Sequence, residues 1–185
     1  KIAGKSLIQH VFENCAKSDR LEVMVVTDHP EIEAHVKGFT PNVLRVDDDV
    51  ASGTERIFLA FERNYVATDF DLIINVQGDE PLLQASLLEE LATFHLAQNF
   101  DIATLLRPRQ NDNDDKNNPN IVKTAFCEDT GKCHYFSRLA IPFTSELEKY
   151  TNWYQHIGVY SYRPQALHQF AQAKASAMEK AEKLE

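Results

Sequence analysis

Residues 72–81, LIINVQGDEP, constrain the fold of this chain more than any other stretch. Leu72, Ile73, Ile74 and Val76 form a short apolar run with Asn75 set inside it. Such a run, bounded by turn residues, suits a strand buried on both faces. It stops at Gly78, two carboxylates follow at Asp79 and Glu80, and Pro81 bars continuation of a ladder. Acids at the carboxyl end of a buried strand stand where open α/β sheets bind ligands. A carboxylate there can hold a hard cation such as Mg²⁺, which in turn holds phosphate oxygens. The alternative is a pair of turn residues that caps the next helix.

The surrounding chain alternates helix and strand. Ile8, Val11, Phe12 and Cys15 recur at helical spacing. Residues 21–27 (LEVMVVT) read as a buried strand, and Asp28, His29 and Pro30 as a helix start. Residues 42–46 are a short strand candidate. Ser52 with Glu55, and Ser86 with Glu89, have capping-box spacing at the starts of two further helices. Residues 101–107 (DIATLLR) are another strand. This alternation predicts a mostly parallel sheet covered on both faces. Residues 110–118 (QNDNDDKNN) read as a mobile surface loop. Beyond Pro119 the texture becomes α+β. Two strands flank a turn at residues 128–131, a strand covers 156–163 (HIGVYSYR), and helices follow from Pro164 and over 175–185.

Size and charge narrow the classes. A chain of 185 residues, 43% hydrophobic, is a globular domain with room for a full core. A net charge of −9 argues against a nucleic-acid surface, which needs a basic stripe. No apolar stretch approaches membrane-span length, so no membrane insertion is expected. Three cysteines, an odd and sparse count, suggest reduced thiols and a cytoplasmic setting. Cys127 and Cys133 flank the hairpin turn and are expected to face each other as structural residues.

Three constellations could carry chemistry. Ser52 to Arg56 at a helix start offers backbone N–H groups, a hydroxyl and a guanidinium, a set able to read a planar nucleobase. A plain capped helix is the other reading. Arg138 lies in an apolar run before Pro142 and must find an anion or solvent. A sugar-acid carboxylate suits its fork, and so does a structural ion pair. His156 and Tyr160, four apart on one strand, point the same way about 13 Å apart and could line a pocket wall. A satisfied core histidine is the common alternative. No nucleophile elbow, phosphate-binding P-loop or H-E-x-x-H motif is present.

Taken together, ASGTER at 51–56, NVQGDEP at 75–81, NPNIVK at 118–123, YFSRLAIP at 135–142 and HIGVYSYR at 156–163 resemble one family in order and spacing. It is the 3-deoxy-manno-octulosonate cytidylyltransferases, the CMP-KDO synthetases. The opening KIAGKSLIQHV, the VVTDH at 25–29 and the final LE also look like this family. The resemblance implies a three-layer α/β nucleotidyltransferase fold with a small α+β lobe, in a single domain. Residues 1–107 are then the nucleotide-binding half, and residues 119–185 the sugar-binding and dimerisation lobe. It implies a homodimeric enzyme that uses Mg²⁺ to join CTP and KDO into CMP-KDO and pyrophosphate for lipopolysaccharide synthesis. Carried over by position, Asp79 is the metal-binding catalytic residue, and Ala51, Ser52 and Arg56 contact cytosine. Gln77, Arg138, His156, Tyr160 and Glu185 belong to the sugar-acid pocket. The family's N-terminal glycine- and arginine-containing loop, and a C-terminal segment with a second metal-binding aspartate, have no counterpart here. The expectation is therefore a member lacking both family termini. Two other readings are a sister enzyme for another acid sugar, of amino-KDO or sialic-acid type, and a non-catalytic trimmed relative that binds nucleotide.

Overall fold

The computed structural model describes residues 1–110, 114–143, 145 and 152–184. Its helices are α1 (Leu7–Cys15), α2 (Pro30–Lys37), α3 (Gly53–Asn64), α4 (Ala85–Ala97), α5 (Pro164–Gln172) and α6 (Ala177–Glu182). Its strands are β1 (Val25–Thr27), β2 (Val43–Arg45), β3 (Ile73–Val76), β4 (Ile102–Gln110), β5 (Lys123–Cys127), β6 (Lys132–Ser137) and β7 (Asn152–Tyr162). They form two compact units: Lys1–Ala103 with Val159–Ala173, and Thr104–Gly158 with Lys174–Glu185.

In the first unit β1 and β2 pair in parallel, Val25 opposite Val43, with α2 as the crossover between them. His29 caps α2 by accepting the Glu31 N–H, and Pro30 opens the first turn, where a missing N–H costs nothing. Val25, Val36 and Val43 are buried together under Ile8, Phe12 and Phe39. β3 runs antiparallel to the C-terminal half of β7, Ile73 opposite Tyr162 and Val76 opposite Val159. β1 and β3 both line a cavity of about 550 Å³, together with Ile8, Phe12 and Leu88 and with charged side chains such as Arg20 and Glu89. Neither Asp79 nor Arg56 lines it, so this void is separate from the polar groups considered below.

In the second unit β6 pairs with β5, and β5 with the N-terminal half of β7, all antiparallel. Trp153 is fully buried, its indole N–H donates to the Gln110 carbonyl at 3.0 Å, and the Arg109 guanidinium lies 5.9 Å from the ring centre. The α/β class of the sequence reading holds, with a mixed sheet in place of a mostly parallel one.

Several local expectations need correction. Of residues 21–27, only β1 pairs as strand. The Ser86–Glu89 capping box does not form. α4 begins at Ala85 behind Gln84, and the Glu89 carboxylate instead accepts the Ser18 hydroxyl. At Ser52 the cap is real: its hydroxyl accepts the Glu55 N–H at 3.2 Å, while the Glu55 carboxylate reaches back to the Ala51 N–H at 3.0 Å. Cys133 pairs with Phe126 and Cys127 with Lys132, so the two thiols occupy opposite faces of the hairpin. Both are free. Of the polar loop over 110–118, residues 111–113 lie outside the described residues. Residues 114–117 make one turn of 3₁₀ helix, and Asp115 pairs with Arg109 at 2.5 Å.

Candidate functional site

The groups singled out in the sequence divide between the two units. Ala51, Ser52, Arg56, Gln77, Asp79 and Tyr160 lie in the first, and Arg138 and His156 in the second. Glu185 lies outside the described residues.

In the first unit the end of β3 is built by two successive tight turns. The Glu80 N–H donates to the Gln77 carbonyl at 3.3 Å, and the Leu83 N–H to the Glu80 carbonyl at 3.2 Å. These turns expose Asp79 and leave Gln77 and Glu80 half-buried. Burial, and then the charge of Asp79, push the Glu80 carboxyl above its ordinary range. Asp79 makes no ion pair among the described residues, so its carboxylate is uncommitted. No group of three metal-capable side chains occurs among the described residues. That donor set does not make a closed all-protein metal cage. It fits Mg²⁺, which takes one or two carboxylates and completes its shell with phosphate oxygens and water.

Asn75, the polar residue inside the apolar run, is buried for a reason. Its side-chain amide donates to the Thr54 hydroxyl at 3.2 Å and so ties the end of β3 to the first turn of α3. Arg56, one turn into α3, pairs with Asp28 just after β1 at 2.9 Å and donates to the Val46 carbonyl at 2.7 Å. The ends of β1 and β3 therefore both meet the start of α3, a helix N-terminus that favours negative charge. Tyr160 stands opposite Asn75 in the β3–β7 register, and Asn75 precedes Gln77 by two residues. Tyr160 and Tyr162 have ring centres 6.0 Å apart.

In the second unit His156 Nε2 lies 2.9 Å from the Thr104 hydroxyl, and the Phe136 ring meets the imidazole edge-on at 4.8 Å. Burial lowers its pKa to about 4, so the ring is neutral at physiological pH. It can orient hydroxyl groups but cannot neutralise a carboxylate. Arg138 follows β6 and is half-buried. Its guanidinium donates to three carbonyls: Glu182 at 2.7 Å, Pro119 at 3.0 Å and Lys183 at 3.2 Å.

Sequence reasoning missed the residues that hold these groups in place. Lys123 is fully buried and its ammonium donates to the carbonyls of Asn118, Ile121 and Arg138. Burial lowers its pKa. It appears in the sequence only within NPNIVK, where nothing local distinguishes it from a surface lysine. His95 is also fully buried; Nε2 lies 3.0 Å from the Phe100 carbonyl and Nδ1 2.8 Å from the Ser161 hydroxyl. A carbonyl only accepts, so Nε2 carries the proton and Nδ1 accepts from Ser161. Its position seven residues after Leu88 and four after Leu91, on the apolar face of α4, is the signal that could have found it.

A family model described as cytidylyltransferase matches residues 1–185. The chain is 39% identical over 193 aligned positions to the 3-deoxy-manno-octulosonate cytidylyltransferase of Alcanivorax borkumensis, covering 100% of this chain and 75% of that protein. It is 37% identical to the same-named protein of Parabacteroides distasonis, covering 98% of this chain and 74% of that protein. Among solved structures, a CMP:2-keto-3-deoxy-manno-octonic acid synthetase complexed with CTP superposes with a TM-score of 0.88 at 31% identity, over 100% of this chain and 74% of that one. A 4-diphosphocytidyl-2C-methyl-D-erythritol synthase from Anaerococcus prevotii, at 8% identity and a TM-score of 0.58, shares the fold alone. The chain belongs to the 3-deoxy-manno-octulosonate cytidylyltransferase family.

Proposed function

We propose that this protein is a nucleotidyltransferase that moves CMP from CTP to KDO, yielding CMP-KDO and pyrophosphate for lipopolysaccharide synthesis. Its likeness over the whole chain to proteins of that name supports the reading. The observation that carries it in the structure is the uncommitted Asp79 carboxylate at the end of β3, a strand tied through Asn75 and Thr54 to the helix start that carries Ser52 and Arg56.

The anomeric hydroxyl of KDO attacks the α-phosphorus of CTP, and the bond to the β-phosphate breaks as pyrophosphate leaves. Ala51, Ser52 and Arg56 hold the cytosine end; the pairing of Arg56 with Asp28 and the Val46 carbonyl keeps that helix start rigid. Gln77 and Tyr160 orient sugar hydroxyls, as does His156, which its burial keeps neutral. Arg138 takes the sugar carboxylate through its planar fork of N–H groups. Glu185 is assigned to the same sugar by family position. Asp79 would hold Mg²⁺, with Glu80 as a half-buried neighbour of raised pKa. When bound, the cation offsets charge that accumulates on the phosphate oxygens. Holding two substrates in line accounts for much of the barrier reduction. The three free cysteines support a cytoplasmic setting.

The test is pyrophosphate release from CTP and KDO by the full-length protein, with Mg²⁺ titrated. Asp79→Asn is expected to lower kcat about 100-fold or more. Turnover near that of the unaltered protein would overturn the metal role of Asp79. Release with another acid sugar but not KDO would reassign the substrate.

A further inference from the structure

Arg138 is held on every side. Its own N–H donates to the Glu182 carboxylate at 2.9 Å, and its carbonyl accepts from the buried Lys123 ammonium. The same Glu182 carboxylate accepts the Ser137 hydroxyl at 2.6 Å and the Tyr135 hydroxyl at 3.0 Å, on the two residues that lead into Arg138 along β6. The Glu182 carbonyl then accepts Arg138 Nε at 2.7 Å. One residue of α6 thus fixes both the backbone and the side-chain root of the arginine.

The pattern of donors points outward. A guanidinium has five N–H groups. Three are committed: Nε to Glu182, one on Nη1 to Pro119 and one on Nη2 to Lys183. One N–H on each terminal nitrogen remains without an acceptor among the described residues, and a carboxylate can accept from both nitrogens at once. α6 itself buries no residue, so this polar network, rather than apolar packing, attaches it.

We infer that Glu182 is a positioning residue: acting through Arg138, it presents the two remaining guanidinium N–H groups to the carboxylate of the acid sugar. The inference rests on the assignment of Arg138 to that carboxylate under the proposed function. A merely structural role for Glu182 would instead lower stability, or weaken both substrates alike.

Steady-state kinetics on the full-length protein separate these cases. Glu182→Ala is expected to raise KM for KDO on the order of tenfold, with KM for CTP held within about twofold. Glu182→Gln, which keeps one acceptor oxygen and the side-chain volume, should fall between, and decides the matter should Glu182→Ala not fold. Arg138→Lys alone should raise KM for KDO, and Glu182→Ala added to it should cost little more, because both act through one contact. Full additivity, or equal effects on both substrates, would overturn the role of Glu182 while leaving Arg138 in place. An unchanged KM for KDO in Arg138→Lys would remove the carboxylate assignment, and the inference with it.

Discussion

Burial holds His156 neutral, with a pKa of about 4 against about 6.5 in an unfolded chain. Between those values the unfolded state binds the extra proton, so this contribution is fully present above about pH 6.5 and is lost as the pH falls toward 4. The gap corresponds to about 3 kcal/mol. His95, also pushed down by burial, acts in the same direction. Melting temperature should therefore drop between pH 7 and pH 4.5, and His156→Gln should flatten but not abolish that slope. An unchanged slope would refute the assignment. Lys123 makes a second case. Lys123→Met leaves the carbonyls of Asn118, Ile121 and Arg138 without their donor, and should cost about 2–3 kcal/mol in denaturant unfolding. A neutral result would mean that water replaces the ammonium.

Elements differ in what attaches them. α5 buries Ala166 and Leu167, whereas α6 buries nothing and depends on Glu182 and its Ser176–Glu179 capping box. Amides of α6 should exchange with deuterium well before those of α5, since local opening there exposes no fully buried residue. Equal protection would show that α6 is held by more than this network. The caps also show what a local pattern can decide. Ser52 and Ser86 each stand three residues before a glutamate, yet only Ser52 caps a helix. Glu89 is drawn off by Ser18, 71 residues away, a competition that spacing alone does not contain. The strand ending in Asp79 was legible because apolar run, glycine, acids and proline are all local signals.

At the scale of the molecule, Leu139 and Phe143 expose 73% and 89% of their surface. The family resemblance implies a homodimer, and these two side chains are candidate contact residues for it. Sedimentation of the full-length protein should give a dimer, and Phe143→Asp should shift it toward monomer. A monomer at every concentration would reject the assembly.

The sequence by itself determined the alternation of helix and strand, the strand that ends in an exposed aspartate, and a family likeness spread over five motifs. These depend on neighbours a few residues apart, and periodicity and turn chemistry record them. Only the tertiary structure decided what Asn75, Lys123 and Arg138 do. Asn75 finds Thr54 from 21 residues away, Lys123 finds Arg138 from 15, and Arg138 finds Glu182 from 44. Hydrogen bonds between groups so distant in the chain exist only after the backbone has brought them within about 3 Å, and no spacing in the sequence encodes that approach.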